Sequence, residues 1–266
     1  AEANKLIQRF ERAIESTKLD AEKHLDNVLK LDPTNIKAVA MYLSLLNSRG
    51  AHEETWALAV GASDRTSIPA TLAQELVMAV LRIPDRKKGS KARLILAEDL
   101  RDRVKKEERS QSAWLLAAAH IQLNHNEPEK ARLLVEQVKK GDMITRLEAR
   151  YLESWCLFQQ ERYQDAKSIL EKISVKASGS APILTLYGQT LWKLNERTLA
   201  GELARRAVQA DVHYGPALKF QNDVLASSGN TKQVAQLWES RYLKNPEDIS
   251  ANRMKLSQHI SKEEIK

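Results

Sequence analysis

Apolar side chains recur every three or four positions along most of the chain, and short polar turns interrupt them at regular intervals. In residues 195–211, for example, Ala200, Ala204 and Ala207 fall on one side of a helix. The polar segments NHNEPEK, QQERYQDA and NERTLA each separate one such stretch from the next. Because this spacing follows the helical period, it predicts amphipathic helices joined in pairs by short turns, with small side chains where two helices pack closely.

The helix pairs form a repeat that runs through the sequence. Most repeats are 34 or 35 residues long, and the longer ones surround RIPDRKKGSKAR, where Pro84 and Gly89 mark an enlarged turn. The predicted repeats and the terminal helix after them are 2–35, 36–72, 73–111, 112–146, 147–180, 181–214, 215–248 and 249–266. The terminal helix is expected to cap the array, because repeat arrays need a polar outer face at their ends.

Three kinds of position are shared between the repeats. A small residue stands at Ala119, Ser154 and Gly188, a second stands twelve positions later at Ala131, Ala166 and Ala200, and a proline stands at Pro33 and Pro246. These positions resemble the tetratricopeptide repeat family, whose period of about 34 residues is a helix–turn–helix. Over the whole chain, 1–266, the resemblance implies a single all-α array, a right-handed superhelix (α-solenoid) of antiparallel helix pairs. The register of the first helices in 73–111 and 147–180 stays open, because 73–111 matches the repeat most weakly and Arg150 and Glu153 stand where apolar or small residues are usual, as Asn222 does in 215–248.

Composition supports the all-α class. The chain contains only 9 glycines and 7 prolines among 266 residues, whereas the helix formers Ala, Leu, Glu, Lys, Arg and Gln are abundant. Alternating Val/Ile-rich runs, the usual signal of β-strands, are nearly absent. No apolar stretch approaches the roughly 18 residues that a transmembrane helix requires, so none is expected. The single cysteine excludes an internal disulfide framework and leaves both the periplasm and the cytoplasm open as compartments.

The family resemblance implies that the first helix of each repeat lines a concave groove, with residues two, five, nine and twelve facing inward. Aromatic side chains there would supply contact area for a peptide or acidic segment, and amides and cations would orient it. A net charge of +7 is consistent with acidic partners. A shift of one residue in register would bury the aromatic residues of 147–180 instead. The predicted partner-binding residues are Tyr151, Trp155, Gln189, Trp192, Lys193, Lys219, Asp223 and Arg253.

The sequence contains no recognisable catalytic or metal-binding constellation. His120 and His125 are five positions apart and therefore point to different sides of a helix, and no HExxH or Cys/His set is present. Cys156 lies in an apolar helix without a histidine base, which is typical of a small buried residue. The glycines form no phosphate-binding loop. We therefore expect a protein without enzymatic activity and without a cofactor.

These observations predict a scaffold or adaptor that binds a segment of a protein or peptide partner within a larger complex. The general style of the repeats suggests a bacterial envelope assembly, for pilus biogenesis, secretion or exopolysaccharide export. A cytosolic adaptor and an RNA-associated helical-repeat protein are the alternatives. Nucleic acid is the weaker of these, because the basic run 82–93 lacks interleaved aromatics and acidic residues follow it at once. Asp223 one turn after Lys219 does not support a clamp for the acidic tails of chaperones.

Overall fold

The computed structural model describes residues 23–32, 35–83, 89–138 and 141–227, and regular structure in these ranges is helical throughout, with no strand. This confirms the predicted all-α class. The predicted terminal helix at 249–266, Arg253, Pro33 and Pro246 lie outside the described residues. The helices are α1 Ile36–Arg49, α2 His52–Ser63, α3 Ala70–Arg82, α4 Ser90–Asp102, α5 Ser112–Asn124, α6 Pro128–Glu136, α7 Met143–Gln159, α8 Tyr163–Lys176, α9 Ala181–Lys193, α10 Arg197–Ala210 and α11 Gly215–Ser227. Residues 23–31 are also helical, and Lys106–Glu108 form one 3-10 turn.

The chain divides into two compact units, with the boundary between Ser178 and Gly179. In the N-terminal unit, α1 to α8 form four helix pairs, and the first helices pack in series, α1 on α3, α3 on α5 and α5 on α7. In the C-terminal unit, α9 packs on α10, and α11 contacts both of them. Within each unit, neighbouring helices thus pack against one another in chain order, as expected of a repeat fold.

One type of turn joins the first helix to the second in four of the pairs. The residue in the left-handed conformation is Gly50, Asn126, Glu161 or Asn195, with φ between 60° and 67°. After it, the next backbone N–H donates to the carbonyl five residues earlier, as Glu127 does to Gln122 at 2.9 Å. This is the Schellman ending of a helix, and it reverses the chain within two residues. In each of these pairs the second helix begins two residues after the left-handed residue, at His52, Pro128, Tyr163 and Arg197.

Small residues lie where the paired helices approach each other. Ala119, Ala131, Ala166 and Ala200 are completely buried, as is Ser154, whose hydroxyl donates to the carbonyl of Arg150 at 2.8 Å. Gly188 is also buried. The predicted twelve-residue spacing therefore marks buried positions on the first and second helices.

Two helices begin earlier than the predicted repeats do. Helix α3 begins at Ala70, three residues before the predicted start at 73, because Pro69 at its N-cap holds an extended conformation. Helix α7 begins at Met143, four residues before 147, and the Oδ1 of Asp142 accepts a hydrogen bond from the backbone N–H of Thr145 at 2.8 Å. The local caps, and not the phase of the repeat, decide where these helices start.

Candidate partner-binding face

Four side chains from α5 and α7 meet on one side of the N-terminal unit, and Glu75 on α3 lies close enough to one of them, Glu148, for their charges to interact. We call this group the acidic–aromatic face; it consists of Glu75 on α3, His120 on α5, and Glu148, Tyr151 and Trp155 on α7. Spacings of three and four residues place the three α7 residues on the same side of that helix. Because α3, α5 and α7 pack in series, a ligand on this face would contact several repeats at once.

A hydrogen bond between α5 and α7 lies at the centre of the face. The Nε2 of His120 is 2.5 Å from the Oε1 of Glu148. A carboxylate can only accept, so the ring N–H of His120 is the donor. The side chain of His120 is only 9% exposed and that of Glu148 is 21% exposed. The contact therefore fixes the position of one carboxylate oxygen, and the other oxygen of Glu148 accepts no hydrogen bond from the described residues.

Two further aromatic rings lie near the ring of His120. The centroid of the His120 ring is 6.3 Å from that of Tyr151 and 6.2 Å from that of Trp155, and the centroids of Tyr151 and Trp155 are 6.0 Å apart. These are distances at which tilted and edge-on aromatic rings attract one another. Tyr151 is only 7% exposed, whereas Trp155 is partly exposed. Trp155 is thus the aromatic side chain that can offer surface to a ligand.

Glu75 adds a second carboxyl group to the face. Its partial burial raises its pKa above the ordinary glutamate value, the charge of Glu148 raises it further, and the charge of Arg82 lowers it. The two carboxyl groups are therefore close enough for their charges to interact. Glu75 accepts no hydrogen bond and makes no ion pair with the described residues.

The sequence-based prediction found part of this face. It included Tyr151 and Trp155, which the structure brings together, and the rule for inward-facing positions includes His120 as the ninth residue of the repeat 112–146. It missed the two carboxyl groups. Glu148 occupies the second position of the repeat 147–180, which the inward-facing rule includes, so the signal for it was present. Glu75 could not be found in this way, because it is the third residue of the predicted repeat 73–111, and the rule includes only the second, fifth, ninth and twelfth.

The remaining described residues of the predicted site belong to the C-terminal unit. Trp192 on α9 is partly exposed, and the guanidinium carbon of Arg197 lies 3.7 Å from its ring centroid. Phe220 meets the same ring edge-on at a centroid distance of 6.3 Å. Gln189 is also partly exposed, and Lys193, Lys219 and Asp223 are exposed. The first helices of this unit therefore present an aromatic ring in contact with Arg197 and Phe220, and two exposed cationic side chains.

The described residues show no feature of a metal or thiol site. They contain no group of three His, Cys, Asp or Glu side chains placed to hold a metal ion. Cys156 is buried, and its burial raises the pKa of the thiol to about 12, so the thiol stays protonated near neutral pH. Among the described helices none is long and apolar enough to span a bilayer.

Comparison with known proteins identifies the fold. No protein-family model matches the chain, and a search of curated proteins finds no match. Among solved structures, a tetratricopeptide repeat protein from Parabacteroides merdae is similar over 94% of this chain and 96% of its own length, with a TM-score of 0.53 at 9% identity. YrrB, a TPR protein with an unusual peptide-binding site, gives a TM-score of 0.40 at 12% identity over 87% of this chain and 97% of its own. Naa15/Naa10 bound to HypK-THB gives 0.34 at 18% identity over 95% of this chain and 44% of the other.

Proposed function

We propose that this chain, which has the helical-repeat fold of the tetratricopeptide repeat protein compared above, is a non-catalytic scaffold that binds a segment of a partner protein along its first helices. The observation that carries the proposal is the convergence of His120, Glu148 and Trp155 from α5 and α7 on one face. Polar and aromatic side chains that are held in place but remain partly exposed are typical of binding surfaces.

The fixed geometry of this face favours binding. The His120–Glu148 hydrogen bond and the contacts among the three rings hold the side chains before a ligand arrives. Binding then costs little side-chain entropy, which is a main cost of forming a complex. Partly exposed tryptophan is enriched among the residues that contribute most to binding energy. Trp155 is therefore the proposed centre of the contact in the N-terminal unit.

A second contact is proposed in the C-terminal unit. Arg197 and Phe220 hold the Trp192 ring from two sides, while Gln189 remains available for hydrogen bonding. Lys193 and Lys219 would orient acidic groups of the partner, with Asp223 beside them. We include Arg253 among the proposed partner-binding residues on the basis of the sequence prediction alone.

Site-specific photo-crosslinking in the native host tests this function. A photoreactive benzoylphenylalanine replaces Trp155 on the first-helix side, and in a matched variant it replaces Lys172, which is exposed on the second helix α8. The expected result is a crosslink from position 155 to one defined protein and none from position 172. Crosslinks from position 172 alone would place the interaction on the second helices and overturn the proposal.

The same experiment separates the alternative functions. Recovery of the position-155 adduct in the periplasmic fraction supports the predicted envelope assembly, and recovery in the cytosolic fraction supports a cytosolic adaptor. An adduct that nuclease treatment removes supports the RNA-associated alternative instead.

A further inference from the structure

Three of the four carboxyl oxygens of the acidic–aromatic face accept no hydrogen bond within the described part of the chain. Glu75 accepts no hydrogen bond there, and one oxygen of Glu148 is likewise without a donor. A carboxylate that is partly removed from water loses solvation, and a donor that replaces the water restores it. Three carboxyl oxygens of the face are therefore without a donor from the described residues, and a suitable ligand would supply one.

The charges that face Glu75 and Glu148 do not fully balance them. From α3 the nearby cation is Arg82, and from α5 the ring N–H of His120 already donates to Glu148. An acidic ligand would bring a further negative charge to two carboxyl groups that already repel each other. A cationic side chain would be attracted to both, and it carries only donors.

We infer that the acidic–aromatic face receives a lysine or arginine side chain of the bound partner, so the segment at the N-terminal unit is basic although the whole chain carries a net charge of +7. This inference rests on the proposed function and names the chemistry of its ligand. For the N-terminal unit, this inference replaces the expectation from the sequence that the partner segment is acidic, which was based on the net charge of +7.

The position of Trp155 sets a second requirement on the sequence of the partner. Glu148 and Trp155 are seven residues apart on α7, which corresponds to about 10 Å along the helix axis. An extended segment advances about 3.3 Å per residue, so it covers this distance in about three residues. The favoured partner sequence thus has Lys or Arg and, about three residues away, an apolar or aromatic residue that packs on Trp155.

Binding of designed peptides to the full chain tests this inference. The probes are two fluorescein-labelled peptides in a Gly/Ser background. The lysine peptide contains Lys-x-x-Leu-x-x-Lys, so that it carries the motif in both directions, and the glutamate peptide has Glu in place of each Lys. Binding is measured by fluorescence anisotropy at about 0.15 M salt. The lysine peptide is expected to bind more tightly, and Glu75→Gln is expected to weaken it about tenfold. Because Glu75 makes no hydrogen bond within the described part of the chain, its replacement by Gln should leave the fold intact.

A charge-matched variant distinguishes a site from general electrostatic attraction. Glu171→Gln removes one exposed carboxylate from the second helix α8, and its affinity for the lysine peptide should stay within about twofold of the parent. Tighter binding of the glutamate peptide, or equal weakening by Glu75→Gln and Glu171→Gln, would overturn the inference. If crosslinks from position 155 map to an acidic segment, the proposed function stands and this inference fails. If position 155 captures no partner while position 172 does, the proposed function itself fails.

Discussion

The ring of Phe220 covers the backbone of Gly188 so closely that a β-carbon built on Gly188 would lie 2.6 Å from the Cε1 of Phe220. The same β-carbon would lie 3.3 Å from the Cβ of Leu203. Gly188 therefore sits between α10 and α11, and its lack of a side chain allows α9 to approach both helices. At this position of the repeat, the close packing of the helices therefore requires a residue without a β-carbon.

This contact predicts opposite effects for two glycine substitutions in the same unit. Gly188→Ala should lower the free energy of unfolding by about 1–3 kcal/mol, because Phe220 and Leu203 would have to move within a packed core. Gly201→Ala should raise it by up to about 1 kcal/mol, because the nearest atom to its new β-carbon, Cγ1 of Val224, lies at 3.6 Å and alanine favours the helix. Urea unfolding of both variants gives the two values, and a shift of the same sign in both would contradict the packing.

The fold could be predicted from the sequence because small residues recur at fixed positions of the repeat. The twelve-residue spacing from Ser154 to Ala166 and from Gly188 to Ala200 marks buried contacts in the structure, because close helix packing allows only small side chains there. The starts of α3 and α7 could not be obtained from the repeat period, because Pro69 and Asp142 decide them locally. The side-chain partners on the acidic–aromatic face depend on contacts between helices that are distant in sequence, such as His120 with Glu148, and no periodicity encodes them.

The shared turn makes a second prediction about stability. Glu161 has a φ of 61°, a conformation that costs residues with a β-carbon roughly 1–2 kcal/mol and that glycine adopts freely. Glu161→Gly should therefore raise the free energy of unfolding by about 1 kcal/mol, and the urea midpoint should rise. The equivalent change Asn195→Gly should have a smaller effect, because asparagine tolerates the left-handed region better. Equal gains at both positions would argue against backbone strain as the cause.

Glu75 predicts a pH-dependent change in stability. Burial and the charge of Glu148 raise its pKa in the folded chain above the unfolded value of 4.5. A carboxyl group whose pKa is higher in the folded than in the unfolded chain binds its proton more tightly when folded, so above the unfolded pKa this difference lowers the free energy of unfolding. Glu75→Gln should consequently stabilise the chain at pH 7, and the gain should disappear as the pH falls below the unfolded pKa.

Denaturant unfolding of the parent and Glu75→Gln across a series of pH values measures this difference. Glu171→Gln, which removes an exposed carboxyl group on α8, serves as the control and should follow the parent at every pH. A stabilisation by Glu75→Gln that persists unchanged in acid would mean that ionisation of Glu75 is not its cause.

The buried thiol gives the last prediction. Burial raises the pKa of Cys156 from an ordinary value of 9.0 to about 12, so near pH 8 the thiolate population in the folded chain is about a thousandfold below that of the unfolded chain. Since only the thiolate reacts, alkylation by iodoacetamide should be at least about a thousandfold slower in native buffer than in urea. A cysteine introduced at the exposed Ser178, in a Cys156→Ala background, should react at nearly the same rate in both conditions. Native alkylation of Cys156 within about tenfold of the unfolded rate would show that the thiol is accessible and ionised, and would reopen covalent chemistry for this chain.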